Sequence, residues 1–192
     1  MLEEEYQPRR QLPQHLKPAP EPEPTFEYTI RDATLADLPH IREIYNHYVA
    51  NSTVTFDEEP MTLAALRRKF QKAIEKQMPF IVAESPRGNL LGYAYVFPWR
   101  EKAAYRFTVE NSIYLGPAST GKGLGRVLMA ELIERSKAAG LKEIIAVVAD
   151  KGAEASIAMH KSFGFKEIGH MGKVGFKFDR WLGTVLMQKS LK

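Results

Sequence analysis

Five consecutive apolar residues from Ile144 to Val148 restrict the fold of this chain more than any other segment. Four of the five are β-branched, which favours a strand, and none is polar, so both faces of that strand must be covered. A helical pattern precedes the run and ends at Gly140, and another follows it from about Glu154. The run therefore predicts an interior strand in one central sheet flanked by helices.

The chain alternates between strand and helix patterns from Tyr28 onward. Two amphipathic helices follow the first strand, and Thr62 is the expected cap of the second, which places Leu66, Phe70 and Ile74 on its buried face. The predicted order is β-α-α-β-β-β-α-β-α-β-β, a mixed α/β domain. We place the strands at about Tyr28–Arg31, Phe80–Glu84, Leu90–Phe97, Phe107–Leu115, Ile144–Val148, Phe165–His170 and Trp181–Gln188, and the third and fourth helices at about Gly123–Ala139 and Glu154–Phe163.

Residues 1–27 have a different composition from the rest of the chain. They hold half of the 12 prolines and carry a net charge of −3, and few of their side chains could enter a core. Such a segment is expected to be a disordered proline-rich arm without chemistry of its own. Residues 28–192 are then the single folded domain.

Composition also excludes several classes of site. The chain has no cysteine, which rules out disulfides, thiolate zinc sites and a cysteine nucleophile, and we predict no metal site. It contains neither a membrane-length apolar run nor a basic, apolar leader, so a cytoplasmic location is expected, with no membrane partner. Residues 28–192 carry a net charge of +7. That charge suits a nucleotide-bearing cofactor or a nucleic acid, although a solvated basic surface explains it equally well.

A glycine-rich loop, Thr120-Gly121-Lys122-Gly123-Leu124-Gly125-Arg126, lies between a predicted strand and an amphipathic helix. The first turn of a helix has unpaired backbone N–H groups, and glycines let an anion approach them closely. Lys122 and Arg126 add positive charge. The segment differs from a Walker loop, which ends in Gly-Lys-Ser/Thr, and from a dinucleotide fingerprint, which lies near the start of a βαβ unit. A simple turn remains the alternative to a diphosphate-binding loop at residues 121–126.

At these residues the chain resembles the GNAT superfamily of N-acetyltransferases, and within it the phosphinothricin and L-amino-acid acetyltransferase group. Thr120 to Gly125 matches the superfamily's phosphate loop except at its first position. The similarity extends from about Tyr28 to Gln188. It is also carried by the segments Val54–Pro60, Trp99-Arg100, Ala104–Tyr114 and Val174–Leu182.

The resemblance implies a GNAT-like α/β fold, with a mixed sheet of about seven strands that splays between the fourth and fifth and with about four flanking helices. Acetyl-CoA would lie in the splay as co-substrate, paired with Ile113, Tyr114 and Leu115, with its diphosphate on the loop from Gly121 through Arg126 and with Ser156 near its arm. Thr120 and Ala153 depart from the family pattern, which implies weaker or shifted cofactor contacts. A homodimer is implied by the resemblance alone.

The resemblance also assigns chemistry to two side chains. Glu110 occupies the position of the general base that would deprotonate the amine before it attacks the thioester. His160 stands where many relatives carry a tyrosine that protonates the leaving thiolate. A solvated glutamate and a half-buried structural histidine are the alternatives from the residues themselves.

The implied acceptor is the amino group of a small amino acid or analogue, such as phosphinothricin or methionine sulfoximine or sulfone. Protein N-termini or lysines on the same fold, and RNA binding by a basic module without enzymatic activity, are the competing functions. No nucleic-acid motif is present, so no nucleic-acid partner is predicted. Candidate contacts for the acceptor are Phe56, Trp99, Arg100, Tyr105, Arg106 and Lys177.

Overall fold

The computed structural model describes residues 26–192, so the predicted arm lies outside the described residues up to position 25. Within that range, the order of strands and α-helices is the predicted one. The strands are β1 (Thr29–Asp32), β2 (Phe80–Glu84), β3 (Leu90–Pro98), β4 (Thr108–Leu115), β5 (Glu143–Ala149), β6 (Lys166–Lys177) and β7 (Arg180–Ser190). The helices are α1 (Leu38–Asn51), α2 (Leu63–Glu75), α3 (Leu124–Ala138) and α4 (Glu154–Ser162).

The strands of the described residues form one mixed sheet in the order β1-β2-β3-β4-β5-β7-β6. β4 and β5 are parallel and are in register at only three positions, the last of which joins Glu110 to Ile145. On its other side, β4 pairs with β3 as far as Leu115. From Asn111 onward β4 therefore has no β5 partner, which confirms the predicted splay between the fourth and fifth strands.

The apolar run from Ile144 to Val148 lies in β5, the fifth strand along the sheet. Ile144, Ile145 and Ala146 are buried on alternating sides, which confirms the prediction of a strand covered on both faces. Val147 is half-buried because it borders the opening between β4 and β5.

Helices α1 and α2 pack on one face of the sheet, and α3 packs on the other. The ring of Tyr114 in β4 contacts Tyr45 and Tyr48 of α1, with centroids 5.2 and 5.4 Å apart. The next residue, Leu115, points to the opposite face and approaches Gly125 of α3. Helix α1 therefore lies beside one face of the sheet at the opening between β4 and β5, and helix α3 lies beside the other face.

Predicted helix boundaries are confirmed where capping chemistry is visible in the sequence. The hydroxyl of Thr62 accepts a hydrogen bond from the Ala65 amide at 3.2 Å and caps α2. Gly140 follows the end of α3 with a φ of +78°, a conformation that glycine adopts without steric cost. Ile74 was wrongly placed on the buried face of α2, since it is 51% exposed and Ala73 takes the buried position.

The last two strands are longer than the sequence predicts. Gly172, Lys173 and Gly175 interrupt the strand pattern, yet β6 passes through them with an irregular register between Met171 and Gly175. A two-residue turn at Phe178 and Asp179 joins β6 to β7, and both residues have positive φ without being glycine. No helix among residues 26–192 has the length and apolar character needed to cross a membrane.

Candidate active site

A cleft of about 1050 Å³ opens where β4 and β5 part. Its walls come from these two strands, from the N-terminal end of α3, from α4, and from α1, α2 and the loop between them, with one residue each from β3 and β7. The lining includes eleven of the residues predicted from the sequence, namely Phe56, Glu110, Ile113, Tyr114, Leu115, Gly121, Gly123, Gly125, Arg126, Ser156 and His160. The remaining predicted residues lie outside the lining, namely Trp99, Arg100, Tyr105, Arg106, Lys122, Leu124 and Lys177.

The glycine-rich loop has the geometry of an anion-binding helix start. Gly121 and Gly123 have φ values of +74° and +79°, and a Cβ at either position would meet no atom within 4 Å. The Arg126 amide donates to the Gly123 carbonyl and closes the first turn of α3. Within residues 26–192, the five amides before it, from Gly121 to Gly125, have no hydrogen-bond acceptor. These donors are available to an anion.

Charged side chains surround this loop but are held by neighbouring groups. The Arg126 guanidinium donates to the Ser162 hydroxyl at 2.8 Å, and the Lys122 ammonium lies 4.8 Å from the centre of the Phe26 ring. The Leu124 side chain is fully buried in the core. Leu124 can therefore contribute only its main-chain amide to a ligand.

The C-terminal half of β4 is an open strand edge. Because β5 has turned away, the main-chain groups on that side of Ile113 to Leu115 border the cleft. One carbonyl is already used, since the Tyr48 hydroxyl donates to Leu115 O at 2.8 Å. An extended ligand with amide groups could pair with the remaining edge.

Glu110 lies at the last position at which β4 pairs with β5, and the cleft begins there. Its carboxylate is half-buried and accepts no hydrogen bond, and it forms no ion pair with any residue from 26 to 192. Burial raises the pKa of the Glu110 carboxyl, while the positive charges of Lys69 and Arg100 act in the opposite direction. A carboxylate in this environment accepts a proton more readily than an ordinary surface glutamate.

His160 is held as a neutral ring on the opposite side of β4. Its Nδ1 lies 2.7 Å from the Ser156 carbonyl, which can only accept, so the proton is on Nδ1. Nε2 then accepts a hydrogen bond from the Asn111 amide nitrogen at 3.0 Å. Burial lowers the pKa of the His160 imidazole, which favours the neutral form. In this arrangement the ring has no N–H left for a leaving thiolate.

Lys177 lies behind the cleft wall and fixes the loop that carries Phe56. Lys177 is 2% exposed, and its ammonium donates to the carbonyls of Ser52 and Thr55, both at 2.9 Å. Burial lowers the pKa of the Lys177 ammonium, against the effect of nearby carboxylates. The Tyr45 hydroxyl holds the same loop by donating to Asp57 at 2.6 Å. Lys177 therefore affects the cleft only indirectly, because it anchors the loop that carries Phe56.

The four predicted contacts between residues 99 and 106 lie on an exposed segment beside the cleft. The Arg100 guanidinium stacks 4.7 Å from the centre of the Trp99 ring. Arg106 stacks in the same way on Phe107 and donates to the Ala103 carbonyl. Tyr105 is 42% exposed. Of the four, Arg100 is the one whose charge acts on the Glu110 carboxyl.

Several polar residues of the cleft were not found from the sequence, among them Lys69, Asn111 and Thr184. Lys69 projects from α2, Asn111 follows Glu110 in β4, and Thr184 lies in β7. Lys69 resembles any surface lysine of an amphipathic helix, so no sequence pattern distinguishes it. Asn111 lies at a position of β4 where the alternating pattern of a buried strand predicts an apolar residue. This mismatch was the signal that the sequence offered.

The cleft fits acetyl-CoA in three respects. The loop amides suit a diphosphate, the free edge of β4 suits a chain of amides, and two buried polar atoms in the lining are unsatisfied. Those atoms are Asn111 Oδ1 and Thr184 Oγ1, which have no hydrogen-bond partner among residues 26–192. Polar atoms without partners are rare in a folded interior and suggest that a ligand or water completes them.

Comparison with known proteins agrees with this geometry. Residues 30–186 match the acetyltransferase (GNAT) domain family. The chain belongs to this family and is an acetyl-CoA-dependent N-acetyltransferase. The resemblance found in the sequence and the GNAT-like fold that it implied are thereby confirmed.

Three proteins illustrate the similarity. The L-methionine sulfoximine/L-methionine sulfone acetyltransferase of Pseudomonas paraeruginosa is 42% identical over 163 residues, covering 85% of this chain and 94% of the relative. The solved phosphinothricin acetyltransferase of Sinorhizobium meliloti, in complex with acetyl-CoA, is 43% identical with a TM-score of 0.81, over 85% of this chain and 88% of that one. A ribosomal-protein-alanine N-acetyltransferase of Brucella melitensis is 38% identical with a TM-score of 0.80, over 84% and 99%.

Proposed function

We propose that this enzyme acetylates the amino group of a small free amino acid or analogue, of the phosphinothricin and methionine sulfoximine or sulfone type. The first two relatives described above support this class of acceptor. The observation that carries the proposal is the position of Glu110, a carboxylate without a partner among the described residues, at the point where β4 leaves β5. An amine that enters the cleft beside it lies next to the open edge of β4.

In this proposal Glu110 accepts the proton of the incoming ammonium, directly or through one water. Aliphatic amines are mostly protonated near neutral pH, so this step is required before attack. The free amine then forms the C–N bond to the acetyl carbon while the C–S bond breaks, and coenzyme A leaves as thiolate. The new amide nitrogen gives up one proton, and the thiolate takes up a proton through water to give the free thiol of coenzyme A. Acetyl-CoA supplies an acyl group that is already activated, so the protein contributes mainly orientation and proton transfer.

Residues on the other side of β4 hold the coenzyme. The amides from Gly121 to Gly125 bind its diphosphate with help from Lys122 and Arg126, and Ile113 to Leu115 pair with its amide-rich arm. Asn111 Oδ1 and Thr184 Oγ1 supply buried acceptors along the same path.

His160 is proposed to position Asn111 and not to protonate the thiolate. The hydrogen bond that His160 Nδ1 donates to the Ser156 carbonyl fixes the ring tautomer, and the ring then fixes the Asn111 amide, whose oxygen has no partner among the described residues. Phe56 lines the acceptor side of the cleft. The acceptor roles of Trp99, Arg100, Tyr105, Arg106 and Lys177 stay predictions.

A screen with acetyl-CoA tests the acceptor class. Thiol release would be followed against the common amino acids, phosphinothricin, L-methionine sulfoximine and L-methionine sulfone, with a matched assay on peptides. Turnover of free amino acids or these analogues, well above that of peptides, is expected. Absence of turnover with every free amino acid and every analogue in the screen would contradict the proposal.

Acetylation of a protein N-terminus is the second candidate. The similarity to the Brucella ribosomal-protein-alanine N-acetyltransferase favours it. A peptide beginning with alanine is the appropriate acceptor in the same assay. Preference for that peptide over every free amino acid would select this function.

A second copy of this chain is the proposed partner. Along the β6–β7 hairpin, the side chains of Ile168, Val174, Phe176 and Trp181 are each more than half exposed. Large apolar residues clustered on a surface are typical of protein interfaces. Light scattering should therefore give the mass of a dimer, and replacing Trp181 with glutamate should shift it towards a monomer. A monomer of the unmodified chain at working concentration would contradict the proposal.

A further inference from the structure

Lys69 is the charged side chain of the cleft that the mechanism above does not use. It projects from the second turn of α2 and is half-buried in the cleft lining. Its ammonium donates to the Tyr95 hydroxyl at 2.6 Å and lies 4.5 Å from the centre of the Tyr95 ring. The Phe97 ring lies on its other side, 5.5 Å away. Two aromatic residues of β3 thus fix where this charge stands.

The Lys69 charge is incompletely satisfied by the protein. An ammonium has three donors, and one of them is used by the Tyr95 hydroxyl, a neutral group. Lys69 forms no ion pair with any carboxylate among residues 26–192. A lysine that lines a cleft in this state can receive an anion from a ligand.

Lys69 and Glu110 face the same part of the cleft. Tyr95 and Phe97 pair in register with Ser112 and Glu110, so these side chains share the sheet face that α2 covers. The charge of Lys69 has the largest electrostatic effect of any charge on the Glu110 carboxyl. Yet the two groups are not in contact as an ion pair. A positive and a negative charge therefore line the same cleft without forming an ion pair.

We propose that Lys69 binds the α-carboxylate of the acceptor while Glu110 receives its α-ammonium, so that the cleft selects zwitterionic amino acids over simple amines. An α-amino acid carries its two opposite charges on one carbon atom, which matches the paired charges of the protein. This inference rests on the proposed function and makes Lys69 a specificity-determining residue. Tyr95 acts through Lys69, as a positioning residue.

Lys72 offers a matched control on the same helix. Its ammonium also lies 5.5 Å from the centre of the Phe97 ring, but it pairs with Glu101 and is outside the cleft lining. Lys69→Met and Lys72→Met each remove one positive charge above the same ring. Only the first removes a charge that faces the acceptor.

The experiment compares L-methionine sulfone with its α-carboxamide, which keeps the amine and the side chain but lacks the carboxylate. For Lys69→Met, kcat/KM should fall about 10- to 100-fold with the amino acid, the scale of losing a charge-assisted hydrogen bond. With the carboxamide the fall should stay within about 3-fold, because that substrate never made the contact. Lys72→Met should leave the ratio of the two substrates unchanged. Equal melting temperatures and equal acetyl-CoA affinities would establish that the fold and the coenzyme side are intact.

Two results would overturn the role of Lys69 and leave the proposed function standing. One is an unchanged preference for the carboxylate in Lys69→Met. The other is an equal loss with both substrates, together with a shifted pH profile of kcat, which would show that Lys69 acts on the Glu110 carboxyl alone. If the unmodified enzyme acetylates no free amino acid or analogue, the proposed function fails and the role of Lys69 fails with it.

Discussion

At the scale of single residues, Glu110 stands in a position that stability alone would not favour. Its carboxylate is half-buried without a hydrogen bond or ion pair among the described residues, and burial of an unpaired charge is costly. The raised pKa of the Glu110 carboxyl is the direct result. Such a group binds a proton at a higher pH than other glutamates do, which is the property that a general base requires.

Replacing Glu110 with glutamine should remove the base and keep the fold. We expect kcat near neutral pH to fall by about 10²- to 10⁴-fold, the usual contribution of general-base catalysis. Activity of the unmodified enzyme should decline as the pH falls through the raised pKa of Glu110, because protonation removes the base. In the variant that decline should disappear, and activity should recover partly at high pH, where free amine is abundant. A pH–rate profile of both proteins measures this.

Glu101→Gln is the control, because the Glu101 side chain is 94% exposed and lies outside the cleft lining. Its profile should match that of the unmodified enzyme. If Glu110→Gln also kept full activity at pH 7, another group or a water chain would have to serve as the base.

Residues of the cleft lining were found from the sequence best where a local pattern marks them. Glu110 and the three glycines of the loop were found because their neighbours in the sequence define their setting. Lys69 and Lys177 could not be distinguished from the sequence, since both are lysines in amphipathic surroundings. Their environments differ through contacts with Tyr95 in one case and with the Ser52 and Thr55 carbonyls in the other. Those partners are distant in the sequence, so no local periodic pattern predicts these contacts.

At the scale of elements, the two ends of α3 allow a controlled test of the phosphate loop. Gly123 and Gly140 have nearly the same φ, +79° and +78°, and a Cβ at either would meet no atom within 4 Å. Valine should therefore cost similar backbone strain at both positions, about 1–2 kcal/mol. Gly123→Val should raise the KM for acetyl-CoA by about 10-fold or more, because the side chain obstructs the loop amides. Gly140→Val should leave it unchanged.

Steady-state kinetics with varied acetyl-CoA, alongside melting temperatures, separate binding from strain. Equal effects of the two valines on KM would show that the loop lies outside the coenzyme site.

The β6–β7 hairpin meets the loop of Phe56 at Gly175. A Cβ at this position would overlap the Phe56 ring, so the close approach requires glycine. Gly175→Ala should displace Phe56 from the cleft wall. Because Phe56 is proposed to contact the acceptor, the KM for the acceptor should rise about 10-fold, with little effect on the KM for acetyl-CoA. Gly172→Ala is the matched control in the same strand, because nothing lies within 4 Å of its Cβ position. Kinetics with each substrate varied in turn measure both constants.

Helices and strands were predicted well when their own residues show a clear periodic pattern. They were predicted poorly when pairing with a neighbouring strand overrides the local residue preferences. β5 and α3 follow from an apolar run and a capped amphipathic pattern. The length of β6 does not, because Gly172, Lys173 and Gly175 argue against a strand and become part of one only through pairing with β7. The turn at Phe178 and Asp179 was missed as well, since phenylalanine rarely adopts positive φ and no glycine marks the turn.

At the scale of the whole molecule, we predict that removing residues 1–25 leaves the enzyme folded and active. Those residues are rich in proline and charge, so they can contribute little apolar burial. Melting temperature and kcat/KM should both stay close to those of the full chain. Further removal of Phe26 should lower the melting temperature slightly, because its ring packs against the core and next to Lys122. A large loss of stability on the first truncation would contradict the prediction.

The gap between β4 and β5 also has a consequence for kinetic order. Glu110 and Asn111 are neighbours in β4, so their side chains project to opposite faces of the sheet. The acceptor and the coenzyme would therefore arrive from opposite sides and meet inside the opening, and neither would have to leave before the other binds. A two-sided passage of this kind favours a ternary complex and direct transfer. Initial-rate plots should then intersect, as they do for sequential mechanisms, and should not run parallel as they do when an enzyme carries the acyl group between half-reactions.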